Sequence, residues 1–223
     1  MTAESARPQL ILWGASGHGK VILDIARAMD EFDTISFIDD AVGESAPQFC
    51  GCPRFSAASY WQSPEEWYGA AAKFVISIGR NEARSACFQK ALDSGLSAAT
   101  LVHPSAVISD SVRLGEGTVV MARVAINSSA AVGRNCIINT AAVVEHDCQI
   151  GDHVHLSPGV LLAGGVTVSS LAHVGIGAVV LPGIKIGAGS IVGAGAVVTR
   201  SVPPGATVVG VPARPISPIA NPR

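Results

Sequence analysis

From residue 102 to residue 203 an aliphatic side chain returns at every sixth position without interruption. The series opens with Val102, Ile108, Leu114 and Val120 and closes with Ile186, Val192 and Val198. Four residues after each of these the side chain is usually small or β-branched, as at Ala106, Val112, Thr118, Ala130, Cys136 and Cys148. An amphipathic helix needs apolar residues at i, i+3, i+4 and i+7, and a simple half-buried strand alternates every second residue. Neither spacing matches. A six-residue period predicts a parallel β-helix, in which each hexad supplies one short strand and one turn. Both the aliphatic and the small residue then point into the solenoid core.

The pattern before residue 102 is of another kind. Residues 9–13 (QLILW) read as a buried strand, followed at once by Gly14-Ala15-Ser16-Gly17-His18-Gly19-Lys20. An amphipathic run from Val21 to Met29 comes next, with Val21, Ile22, Ile25 and Met29 on one face. Strand, glycine-rich turn and helix form the first half of a nucleotide-binding βαβ unit, whose backbone amides approach a phosphate at the helix N-terminus. A second strand over Thr34 to Ile38 ends in Asp39-Asp40, and a third over Lys73 to Ile78 ends in Gly79. A helix beginning near Asn81 then leads to a short strand at Ala98–Val102. Three or four parallel strands would gather Ser16, Gly17, His18, Asp39, Asp40 and Gly79 at one carboxyl edge, where open α/β sheets bind ligands. The glycines do not follow the G-x-G-x-x-G dinucleotide fingerprint. The segment is also short for a full dinucleotide fold, which argues against Asp39 as the ribose acid of an NAD enzyme. Residues 41–72, with Pro47, Pro53 and Pro64 and the aromatic residues Tyr60, Trp61 and Trp67, read as a loop-rich excursion with one short helix.

Composition adds bounds. Only 14% of the 223 residues are charged, 48% are hydrophobic, and 24 are glycine, as suits a turn-dense solenoid. The net charge of −2 gives no reason to expect nucleic acid or an anionic membrane as a partner. No secretory leader is visible at the start, and no apolar run reaches membrane-spanning length. Cys136 and Cys148 occupy small inward slots and read as reduced core residues. Cys50-Gly51-Cys52 has no second cysteine pair at zinc-finger spacing. A reducing, cytoplasmic setting is the expectation.

Histidines at 146, 153, 155 and 173 interrupt a solenoid built mostly of Val, Ala and Gly. With three hexads per coil, positions eighteen apart stack, so His155 and His173 share a column. His146 falls near a corner between faces, flanked by Glu145 and Asp147. A histidine beside a carboxylate is a minimal general base: imidazole takes the proton while the acid fixes its tautomer and orientation. Strand alternation would separate neighbours, but a corner can bring them together. The competing reading is a surface His–Asp pair on a turn. A metal centre is not expected. The γ-class carbonic anhydrases, which bind metal on this kind of solenoid, use a histidine pair five residues apart, and no pair within 146–173 has that spacing.

Several stretches resemble, in order, one family: LWGASGHGK at 12–20, FIDD at 37–40, SIGRNE at 77–82, VVEHDCQIGDHVHLSPGVLLAGGV at 143–166, VGAGAVVTRSVP at 192–203 and VVGVPAR at 208–214. The chain is similar to the left-handed β-helix sugar acetyltransferases, especially bacterial UDP-4-amino-sugar N-acetyltransferases and sialic acid O-acetyltransferases. The resemblance implies a small Rossmann-like α/β domain at 1–101 and a left-handed parallel β-helix with a C-terminal tail at 102–223. It implies His146 as catalytic base and Asp147 as the acid that orients it. His155 would contact the acetyl-CoA thioester region, with Ile176 and Ala194, and Gly164 beside them, along the pantetheine arm. Ala194 departs from the glycine often found there, although a main-chain contact would survive. Ser16, Gly17, His18, Asp39, Asp40 and Gly79 would cradle the nucleotide of a UDP-sugar. The implied assembly is a homotrimer with CoA between adjacent solenoids. Other acceptors compatible with the fold are sialic acid or another sugar hydroxyl, or an amino acid as in serine acetyltransferase. A solenoid that senses a nucleotide without catalysis is the alternative from outside enzymology.

Overall fold

The computed structural model describes residues 7–40, 48–62 and 72–216; Pro47, Pro64 and Trp67 lie outside the described residues, as do the side chains of Trp61 and Gln62. The N-terminal part contains β1 (Gln9–Trp13), α1 (Gly17–Met29), β2 (Thr34–Asp39), β3 (Gln48–Phe49), β4 (Cys52–Ser56), α2 (Ala57–Gln62), β5 (Lys73–Ile76), α3 (Asn81–Asp93) and β6 (Ser97–Ala98). Its sheet runs β3-β4-β2-β1-β5-β6, and every pairing except that of β3 with β4 is parallel. The excursion after residue 40 is therefore more than a loop. Cys50-Gly51 turns the β3–β4 hairpin, both residues with positive φ, and β4 adds a parallel strand beside β2.

The strand expected at Ala98–Val102 divides in two. Ser97–Ala98 closes the N-terminal sheet on β5, whereas Leu101–Val102 pairs with Val119–Val120 and opens the solenoid. The chain passes from one sheet to the other within two residues, too short a step for hydrophobic patterning to mark.

From there to Val197–Val198 two-residue strands recur every six residues and stack eighteen apart, in parallel, in three sheets. Inward residues Val144, Leu156, Leu162, Val168, Val174 and Val180 are all buried, together with the small-slot residues Ala142, Cys148, Val154 and Val160. Burial pushes the Cys136 thiol up to about 12 and raises that of Cys148. Both behave as small core hydrophobes. Where the slot is polar its hydrogen bond stays local: Thr118 Oγ1 donates to Gly133 O at 2.8 Å, and Ser190 Oγ to Gly187 O at 2.7 Å.

The three faces differ outside. The first carries outward Leu101, Val119 and Ile137, buried against Ile22, Leu23, Ala26 and Met29 of α1, so one apolar core spans both parts of the chain. This is the docked face. The second face presents Val107, Ala125, Val143, Leu161, Val179 and Val197, an unbroken aliphatic column. The third presents Arg113, Ala131, Gln149, Thr167 and Lys185.

Candidate active site

The side chains singled out in the sequence fall into three groups, and the fold places them differently. The first lies at the carboxyl edge of the N-terminal sheet. Gly14 N donates to Ile38 O at 2.8 Å, and Ala15 N donates to Asp39 Oδ2 at 2.6 Å. Asp40 Oδ2 accepts from Trp13 Nε1 at 3.0 Å. Asp39 thus braces the glycine-rich turn. Gly19 is needed because a Cβ there would fall 2.5 Å from Gly14 O, so the turn and the first coil of α1 close tightly. Ser16 is the N-cap of α1 and makes no side-chain capping bond. Ser16, Gly17, His18, Asp39 and Asp40 are assembled here as expected from sequence.

The second group joins that edge to the docked face. Gly79 O accepts from His155 Nδ1 at 3.2 Å. A carbonyl only accepts, so Nδ1 carries the proton, and Nε2 is left to accept from Asn139 Nδ2 at 3.2 Å. His173 stacks on His155 with ring centroids 4.8 Å apart and planes within 6°, and its Nε2 pairs with Ser157 Oγ at 2.8 Å. The His18 ring lies 6.4 Å from His155. Burial, reinforced by the Arg84 guanidinium, lowers the pKa of His18 to about 4 and, with His173 also opposing protonation, of His155 to about 3, and lowers that of His173. All three are neutral at physiological pH. A cleft of about 500 Å³ opens beside them, lined by Gly79, Arg80, Asn81, Glu82, His155 and His173.

Arg84 holds this junction, and sequence reasoning passed over it. It is 1% exposed and donates to Asn135 O at 2.9 Å, His153 O at 2.7 Å, Gly79 O at 3.1 Å and Asn81 Oδ1 at 2.8 Å. Asn81 in turn donates to Leu171 O and Ala172 O of the solenoid. Desolvation lowers the Arg84 pKa to about 10. A signal was present: Asn81, Arg84, Phe88 and Ala91 are spaced as one helical face and are the buried residues of α3.

The third group sits elsewhere. His146 follows strand Val143–Val144 at the corner between the aliphatic and polar faces. Its Nδ1 bonds Asp147 Oδ2 at 2.8 Å. Asp147 adopts φ +60 and its amide donates to Ser128 O, so the corner turns the two neighbouring side chains together. Both side chains are exposed, at 63% and 65%. The hydrogen bond that His146 donates to Asp147, helped by the charges of Asp147 and Glu145, raises the His146 pKa. Gly164 stands one coil above on the same corner. Ile176, 57% exposed, and Ala194 belong to the opposite corner of the aliphatic face, next to the docked face. A single chain therefore sets His146 and Gly164 apart from His155, Ile176 and Ala194. Among the described residues no group of three or more His, Cys, Asp or Glu side chains is arranged to hold a metal ion.

The fold and these sites define a hexapeptide-repeat transferase with an α/β domain docked on one face. Comparison with known proteins makes this specific. Residues 9–91 match the PglD N-terminal domain, and residues 129–164 match the bacterial transferase hexapeptide (six repeats). PerB from Caulobacter crescentus, solved in complex with CoA and GDP-perosamine, is 41% identical over 95% of this chain and 99% of its own, with a TM-score of 0.86. The acetyltransferase domain of PglB from Neisseria gonorrhoeae FA1090, solved in complex with acetyl coenzyme A, is 34% identical over 95% of this chain and 100% of its own, also with a TM-score of 0.86. A curated relative, UDP-N-acetylbacillosamine N-acetyltransferase of Bacillus subtilis (strain 168), is 41% identical over 49% of each chain, so the match spans about half that relative's length. The chain belongs to the hexapeptide-repeat, left-handed β-helix sugar acetyltransferases that carry a PglD-type N-terminal domain.

Proposed function

We propose that this protein transfers the acetyl group of acetyl-CoA to the amino group of a UDP-linked amino sugar in bacterial glycan biosynthesis. The observation that carries the reading is the His146–Asp147 pair. With Nδ1 held by the carboxylate, Nε2 keeps its lone pair for the substrate nitrogen. His146 takes a proton as that nitrogen attacks the thioester carbonyl, giving a tetrahedral intermediate. Collapse expels CoA thiolate, to which the imidazolium returns the proton. No acyl-enzyme is required, and Cys136 and Cys148 are buried.

Residues 1–101 act as the nucleotide-sugar unit, with the diphosphate at Ser16, Gly17 and His18 on the α1 N-terminus and Asp39, Asp40 and Gly79 bordering the nucleoside. Residues 102–223 act as the acyltransferase unit, with Ile176, Ala194 and Gly164 along the pantetheine arm and His155 near the thioester. Because these residues occupy two corners of one prism, the complete site forms between copies in a homotrimer. The uncovered aliphatic face supports this assembly, since Val107 is 73% and Leu161 44% exposed on it. Five free cysteines and the use of acetyl-CoA point to the cytoplasm. Among the described residues no helix is long and apolar enough to cross a membrane.

The test is acetyl-CoA-dependent thiol release with UDP-4-amino, UDP-3-amino and GDP-4-amino sugars, followed by mass spectrometry of the products. An N-acetylated UDP-sugar is expected. Absence of transfer to every amino-sugar nucleotide would sink the proposal, and sedimentation as a monomer would remove the shared site.

A further inference from the structure

Directly above His146 in the solenoid, eighteen residues on, stands Gly164. The column at this corner reads Asp110, Ser128, His146, Gly164, Pro182 and Arg200, so the one position without a side chain follows the histidine. Backbone conformation does not ask for glycine there. The next residue, Gly165, has φ +69, but Gly164 lies outside the left-handed region that favours glycine. What a Cβ at 164 would meet is the imidazole: His146 Cε1 and Nε2 would each lie 2.6 Å from it. The ring leans over the next coil, with Nδ1 on Asp147 and its opposite edge against the bare Cα of Gly164. The coils themselves are tied by backbone bonds independent of that edge, Gly165 N to His146 O at 2.9 Å and Gly183 N to Gly164 O at 3.0 Å.

We propose that Gly164 is a positioning residue, a seat whose missing side chain fixes the imidazole of His146 where Nε2 meets the substrate. The role rests on the reading of His146 as the base, and differs from a main-chain contact with pantetheine, which an alanine would preserve. A methyl group at 164 needs the space of the ring edge. The ring is the mobile end of an exposed side chain, so it swings aside at little cost to the fold and loses its alignment with Asp147. Small misplacements of a catalytic group cost up to about 100-fold in rate.

The experiment is Gly164→Ala in the full chain, alongside His146→Ala. Steady-state kinetics against both substrates is combined with thermal melting and an NMR titration of the His146 ring. The expected result is a kcat about 10- to 100-fold lower, KM for acetyl-CoA within about twofold, an unchanged melting temperature and an altered His146 titration. A kcat within about twofold of the parent, or a raised KM for acetyl-CoA with kcat and the titration unchanged, overturns the seat. If His146→Ala itself turns over normally, the base assignment fails instead, so the two failures are distinguishable.

Discussion

His146 and His155 lie nine residues apart in one coil, yet the fold gives them opposite chemistry. His146 stands on an exposed corner beside a carboxylate that raises its pKa. His155 is enclosed between the docked domain and the solenoid, where burial, His173 and Arg84 bring it down to about 3. One ring is open to solvent, and the carboxylate beside it favours its protonated form. The other is a neutral donor and acceptor with both nitrogens engaged. Histidine supplies an identical group at each position. Solvent access and the nearest charge separate an exposed ring beside a carboxylate from a buried, neutral one.

Removing the exposed ring breaks that contrast most severely. His146→Ala is expected to keep its melting temperature and to lose about 10²- to 10⁴-fold in kcat, the usual contribution of a placed base; thiol release measures it. Near-normal kcat would make the corner pair a surface ornament. Asp147→Asn sharpens the comparison at smaller cost, roughly tenfold in kcat/KM, below the full contribution of the base. Its more telling effect is on pH. In the proposed role His146 works unprotonated, so activity is expected to fall as pH drops through its raised pKa. Without the carboxylate that pKa falls, and the acid limb of the profile moves to lower pH. A limb that stays put would remove Asp147 from the mechanism.

The buried histidines titrate stability rather than rate. In the unfolded chain they take up protons below the ordinary value of 6.5, whereas the folded chain resists until about 4 at His18 and about 3 at His155. Their contribution is complete above about pH 6.5 and is lost progressively on acidification. Melting temperature is therefore expected to fall between pH 6.5 and pH 4, and a His155→Gln variant should show a shallower slope. Equal slopes in parent and variant would mean that His155 is not the group responsible.

Much of this was legible in the chain. The unbroken series from Val102 to Val198 marked the solenoid, and the odd polar triplet Glu145-His146-Asp147 marked the exposed corner where the histidine meets its carboxylate. The turn Gly14 to Lys20 marked the edge where Asp39 accepts from the Ala15 amide. The β3–β4 hairpin went unread because Gln48–Phe49 is too short to show alternation. The change of sheet between Ala98 and Leu101 went unread because both strands are apolar and nearly continuous. Arg84 went unread, although its spacing with Phe88 and Ala91 places it on the inward face of the helix.

By itself the sequence determined everything that repeats. A β-helix core is built from contacts eighteen residues apart, so its rule is local and each hexad states it again. Only the tertiary structure decided how the α/β part meets the solenoid. That junction depends on single, non-periodic contacts, such as Arg84 with Asn135 and His153 across 51 and 69 residues, which no local pattern encodes. It also decided that His146 and His155 occupy different sides of the prism. The residue types on which the chemistry depends are written in the chain, but their separation follows from where each corner and face turns in space.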